Sequence, residues 1–159
     1  MTGVTNLVAP RRTEYLIVDD EPDLCWSLKN ILQTKGRRSQ AALSAREALA
    51  LMKRHRFRLA FLDVTLPDMN GFELARRLRQ MDPELRLVLV SGFLSADPAA
   101  VAHAHDASMF YGCIIKPFLH EDVLGLIESD DQVQVPDCGH DSAQIGNPAP
   151  GAASLSRAK

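Results

Sequence analysis

Five polar residues in this chain stand directly behind short apolar runs. Asp19 and Asp20 follow Tyr15-Leu16-Ile17-Val18, and Asp63 follows Leu59-Ala60-Phe61-Leu62. Ser91 follows Leu87-Val88-Leu89-Val90, and Lys116 closes the run from Phe110 to Ile115. Brought together, the three carboxylates repel one another; a like-charged pair ~4 Å apart costs about 4 kcal/mol at an effective dielectric of ~20. Lys116 supplies one positive charge, and a divalent cation would supply two more. Every candidate ligand is a hard oxygen and no Cys or His cluster is spaced for zinc, so the cation expected is Mg²⁺. Mg²⁺ held by a few carboxylates completes its shell with water and phosphate oxygens. A hydroxyl (Ser91) and an ammonium (Lys116) beside it suit the remaining phosphoryl oxygens. A carboxylate is itself a competent covalent acceptor, forming an aspartyl phosphate. Asp63 is the best acceptor because it ends its run alone, whereas Asp19 and Asp20 form a pair suited to metal.

Something must carry these five residues to one place. The apolar runs alternate with helical patterns five times along the chain. Leu24, Leu28, Ile31 and Leu32 share one face of a first helix that starts near Asp20 or Glu21 with Pro22 and ends at Gly36. A weaker strand spans Arg38 to Leu43, and Ser44 with Glu47 spells a capping box ahead of Ala48, Leu49 and Met52. Pro67-Asp68-Met69-Asn70-Gly71 is dense turn chemistry before the stripe Phe72, Ala75, Leu78. Asp97-Pro98 opens an alanine-rich helix to about His105, and Val123, Leu126 and Ile127 mark a last helix. Short strands with consecutive apolar residues belong to a parallel sheet covered on both faces, an α/β doubly wound fold. Working groups in such sheets lie at the carboxyl ends of the strands. That is where all five residues fall.

Composition sets the outer bounds. The 159 residues are 46% hydrophobic and 24% charged, as in an ordinary globular domain that can bury a core without disulfides. Eighteen basic against 20 acidic residues leave a formal charge of −2, which argues against a general nucleic-acid field. Three scattered cysteines do not form a disulfide framework, and no apolar run is long enough to span a membrane, so a reducing, cytoplasmic setting is expected. His103 and His105 are two apart and do not share a helical face. Arg76, Arg77 and Arg79 read as a solvated helix face, and Cys113 as a buried core thiol.

The segments Leu16-Ile17-Val18-Asp19-Asp20-Glu21-Pro22, Leu62-Asp63-Val64-Thr65-Leu66-Pro67-Asp68-Met69-Asn70-Gly71, Val90-Ser91-Gly92 and Ile115-Lys116-Pro117-Phe118 resemble, in this order, the receiver domain of two-component response regulators. The resemblance runs from Tyr15 to about Ser129. It implies a flavodoxin-like sheet of five parallel strands in the order 2-1-3-4-5 with five helices. It also implies that Asp63 is the phosphoacceptor and that Asp19, Asp20, Asp63 and the backbone carbonyl of Thr65 hold Mg²⁺. Lys116 would bind the phosphoryl group, and Ser91 would move toward it and start a conformational switch. The implied partners are a sensor histidine kinase or histidine phosphotransfer protein, and an effector protein on the face of the fourth and fifth helices and fifth strand. No nucleic acid or membrane is implied, and the chain would be a regulator rather than an enzyme.

One position departs from the family pattern. The switch usually includes an aromatic residue three places before the lysine, and Cys113 stands there. By strand alternation Tyr111 shares the face of Cys113, while Phe110 and Gly112 take the other. This departure keeps open a receiver-like adaptor that works without phosphorylation. A haloacid-dehalogenase-type phosphatase also pairs a strand-end aspartate with a hydroxyl and a lysine, but Thr65 occupies the place of its second aspartate. Expected boundaries are a flexible leader at 1–13, the receiver-like domain at 14–129, and a disordered or linker-like tail at 130–159, too short and polar for a DNA-binding module.

Overall fold

Consecutive apolar residues in a strand send side chains alternately to opposite faces, so such a strand is stable only between two layers. A computed structural model describes residues 14–92 and 109–132, and it shows this arrangement. In chain order the elements are β1 (Glu14–Val18), α1 (Pro22–Thr34), β2 (Arg38–Ala42), α2 (Ala45–Arg54), β3 (Phe57–Asp63), α3 (Gly71–Met81), β4 (Arg86–Ser91), β5 (Gly112–Ile115) and α4 (His120–Gln132). The five strands are parallel and lie in the order β2-β1-β3-β4-β5. The helix expected near Asp97 to His105, the leader, and the tail beyond 132 lie outside the described residues.

Leu16, Val18, Ala60, Leu62 and Leu87 point to one face, against Ala48 and Met52 of α2 and Leu74, Ala75 and Leu78 of α3. Tyr15, Ile17, Phe61, Val88, Val90 and Ile114 point to the other, against α1 and α4. The expected α1 stripe is present, with Cys25 added to its buried side and Pro22 at its first turn. Gly36 follows at φ +67°, the left-handed backbone that suits glycine after a helix end. Ser44 accepts a hydrogen bond from the Glu47 N–H (3.2 Å), and the Glu47 carboxylate accepts one from the Leu43 N–H (2.8 Å). The capping box therefore closes one residue earlier than its simplest form.

Two expectations about the fifth strand are corrected. The strand begins at Gly112, so alternation does not extend back to Phe110 and Tyr111. Tyr111 packs with the cluster around Ile114, and the Arg86 guanidinium lies 5.3 Å from its ring centroid. Phe110 meets Phe72 edge-on on the opposite face, at 5.9 Å between centroids. Cys113 is exposed, not a core thiol: β5 is an edge strand, and it is Ile114 that turns inward onto α4.

The last helix runs past the expected boundary at Ser129 to Gln132. Asp130 is completely buried and ion-paired with Arg58 of β3 and Arg86 of β4. Both guanidinium groups also donate to its backbone carbonyl, at 2.8 and 3.1 Å. Asp131 pairs with Arg37 and, at 3.2 Å, with Arg58. Acids that look like the start of a polar tail are thus the anchor of the helix end. Removing one partner of a buried pair strands the other charge. Asp130→Ala should therefore lower stability by about 3–5 kcal/mol in urea unfolding. Asp131→Ala, half-exposed, should cost under ~1 kcal/mol in the same measurement.

Candidate functional site

The order β1-β3-β4-β5 makes neighbours of the strands whose carboxyl ends carry the polar residues. Asp63 is the last residue of β3 and Ser91 the last of β4, while Asp19 and Lys116 lie one residue beyond β1 and β5. The ladder continues past the strand ends: the Asp19 N–H donates to the Ala42 carbonyl (3.1 Å) and the Lys116 N–H to the Ser91 carbonyl (2.8 Å). These bonds hold each residue's backbone at the sheet edge. Lys116-Pro117 is a cis peptide.

The Lys116 ammonium lies 2.7 Å from Asp19 Oδ2, 3.5 Å from Glu21 Oε1 and 3.7 Å from Asp63 Oδ1. Asp19 is almost wholly buried and uses its other oxygen to accept from the Glu21 N–H (2.9 Å). Asp63 and Ser91 are also buried, whereas Asp20 and Glu21 are exposed. Carboxylate oxygens of Asp19, Asp20 and Glu21 lie within 4.8 Å of one another. Three carboxylates therefore lie within 3.7 Å of the Lys116 ammonium, with Asp20 beside two of them. Glu21 is the member that sequence reasoning missed as a site residue, having taken it only as a helix start; its adjacency to Asp19-Asp20 was the available signal.

The electrostatics follow from this crowding. Burial raises the Asp63 pKa, and the charge of Asp19 raises it further, against the opposing pull of Lys116 and of the Thr65 N–H that donates to it. Burial alone would lower the pKa of Lys116, but its hydrogen bond to Asp19 and the charges of Asp19, Asp63 and Glu21 outweigh that and raise it. Burial, reinforced by the charge of Asp19, pushes the Cys25 thiol up to about 11. That thiol donates to the Asp19 carbonyl at 3.4 Å and is no nucleophile at neutral pH.

The loop after Asp63 is drawn in tightly. The Gly71 N–H donates to the Val64 carbonyl (2.8 Å), and Thr65 and Asn70 form an antiparallel bridge. A Cβ on residue 71 would sit 2.2 Å from the Asp63 carbonyl oxygen, so only glycine permits this approach. Thr65 is brought against Asp63, as the sequence led one to expect. Tyr111 is not brought to the site. Its N–H donates to Leu87, beside the amino end of β4, so it cannot reach Ser91 at the other end of that strand.

The set of oxygens fits a hard divalent cation, and the buried carboxylate beside an ammonium fits an anionic group arriving at Asp63. The profile of the response regulator receiver domain matches residues 15–128. The nitrogen assimilation regulatory protein NtrX of Azorhizobium caulinodans is 36% identical over 107 residues, covering 66% of this chain and 23% of that protein. The response regulator receiver protein CpdR of Brucella abortus is 28% identical over 113 residues, covering 71% of this chain and 92% of that one. A CheY-like receiver domain from Methanospirillum hungatei superposes with a TM-score of 0.69 at 32% identity, covering 76% of this chain and 94% of that one. The chain spans 37% of an Anaeromyxobacter receiver protein and 23% of NtrX, a minor part of these relatives' length.

The Asp63 shift has a testable sign. Its pKa is raised on folding, so ionisation opposes folding, and stability is lost as pH rises above the ordinary carboxylate range. Without divalent cations, Asp63→Asn should melt higher than the parent at neutral pH. The difference should vanish near pH 3, where Asp63 is protonated in both states. Thermal melts across pH check both points.

Proposed function

Since the chain belongs to the response regulator receiver domain family, matched over residues 15–128, we propose that it accepts a phosphoryl group on Asp63 from a protein phosphohistidine and thereby switches partner binding. The observation that carries this reading is the buried Asp63 carboxylate 3.7 Å from Lys116, at the edge where Asp19 and Glu21 also meet that ammonium. Asp19, Asp20, Asp63 and the Thr65 carbonyl would hold Mg²⁺, with Glu21 as an additional acid beside them. Bound there, Mg²⁺ neutralises the acids and the equatorial phosphoryl oxygens, which are its usual further ligands.

In the proposed step a carboxylate oxygen of Asp63 attacks phosphorus. The P–N bond to the donor imidazole breaks, its electron pair stays on nitrogen, and an aspartyl phosphate remains. Lys116 leaves its close contact with Asp19 for a phosphoryl oxygen, and the Ser91 hydroxyl donates to another. Contacts made in only one arrangement of the β4 end bias a two-state element toward that arrangement. The donor would be a sensor histidine kinase or histidine phosphotransfer protein in the cytoplasm. The effector would read the face of the fifth strand and the helices flanking it. The only chemistry assigned is the chain's own phosphorylation and its reversal, without turnover of a separate substrate.

A second reading, a receiver-like adaptor that needs no phosphorylation, draws on Cys113 at the aromatic switch position and on Tyr111 lying at the far end of the sheet. In that case a beryllium fluoride mimic with Mg²⁺ would leave the amide spectrum around Ser91 and Cys113 unchanged. The proposed function predicts widespread shifts there.

The direct test is intact-mass labelling of the full chain by a small acyl phosphate. One phosphoryl group should add in Mg²⁺, and none after chelation or in Asp63→Asn. No labelling of the parent, or equal labelling of Asp63→Asn, would overturn the reading.

A further inference from the structure

The first backbone N–H groups of any helix have no partner inside it. In α2 the first three are all satisfied, but not by one local cap. Ser44 Oγ takes the Glu47 N–H (3.2 Å), whereas the Ala45 and Arg46 N–H groups donate at 2.9 Å each to the two carboxylate oxygens of Asp68. Asp68 lies in the loop between β3 and α3, five residues after Asp63. One carboxylate thus clamps the tip of that loop onto the positive end of a neighbouring helix. These two hydrogen bonds hold its pKa below the usual carboxylate value, so the clamp is charged at neutral pH.

The rest of the loop is tied at its base. Thr65 pairs with Asn70, the Gly71 N–H bonds to the Val64 carbonyl, and Asn70 caps α3 through the Phe72 N–H at 2.8 Å. The Thr65 N–H in turn supports the Asp63 carboxylate. Leu66 and Met69 of the loop also pack against the core cluster that includes α2 and α3. The Asp68 clamp is the hydrogen-bonded contact that ties its tip to another element.

We propose that Asp68 is a positioning residue for the phosphoacceptor loop: by capping α2 in trans it sets the orientation of Thr65 beside Asp63. The metal-binding part of this inference rests on the function proposed above, in which the Thr65 carbonyl is a Mg²⁺ ligand. Supports one step removed from a metal ligand alter affinity by roughly 10–100-fold when lost. Asp68 acts through the backbone, so an effect of about tenfold, the low end, is expected.

The experiment compares Asp68→Ala with Ser44→Ala in the full chain, well below the melting temperature. Each variant removes a cap of the same helix, but only the first releases the loop. Amide hydrogen exchange is read without metal, and Mg²⁺ affinity by NMR titration. Asp68→Ala should speed exchange at Thr65 and Gly71 and weaken Mg²⁺ binding about tenfold, with Asp68→Asn, which keeps one acceptor oxygen, in between. Ser44→Ala should leave both values at those of the parent. If the two alanine variants exchange alike at Thr65 and Gly71, Asp68 is merely a helix cap and the proposal is wrong. If the parent binds no Mg²⁺, it is the metal reading that fails, and the exchange comparison alone decides whether Asp68 positions the loop.

Discussion

The interaction on which this structure turns is the contest of Asp19, Glu21 and Asp63 for the Lys116 ammonium at the carboxyl edge of the sheet. Lys116 sits 2.7 Å from Asp19 and a full ångström farther from Asp63. It pairs most closely with Asp19, reaches Glu21 at 3.5 Å as well, and leaves Asp20 to solvent. Asp63 bears the consequence as a raised pKa, from burial and from the charge of Asp19. An edge in this condition favours anything that brings positive charge to it. A divalent cation would meet that need, and in the proposed function a phosphoryl group would give the lysine a new partner.

The fold holds this edge together by opposing means. Strand order places the ends of β1, β3, β4 and β5 side by side, and consecutive apolar residues bury β3 on both faces, with Asp63 itself buried at its end. At the amino ends of the same strands the charge arrangement is reversed. There Arg58 and Arg86 enclose Asp130, and the pairing is complete enough to anchor the last helix. One end of the sheet thus fixes a helix through matched charges, and the other keeps charges unmatched. The formal charge of −2 averages over both.

Much of this was legible from residue order. Parallel strands buried on both faces announce themselves as unbroken apolar runs, and strand ends follow from the first polar residue after each run. Asp19, Asp63, Ser91 and Lys116 are therefore readable as strand-end residues, and the strand order puts them along one edge. What escaped was long-range. Asp130 looks like the first residue of a polar tail until Arg58 and Arg86 are seen beside it. Asp68 looks like turn chemistry until α2 is placed next to its loop. Tyr111 does not follow the alternation of β5 because it precedes the strand's start at Gly112. Each error arose where a partner distant in sequence decides the conformation and no local period records it.

An edge short of positive charge should take up a cation. The most direct measurement is the melting temperature of the full chain over a Mg²⁺ series at constant ionic strength and neutral pH. A cation that binds only the folded state stabilises it by mass action. The melting temperature should climb with the logarithm of Mg²⁺ concentration, and the rise should be lost when Asp19 is replaced by Asn. A melting temperature indifferent to Mg²⁺ would contradict this.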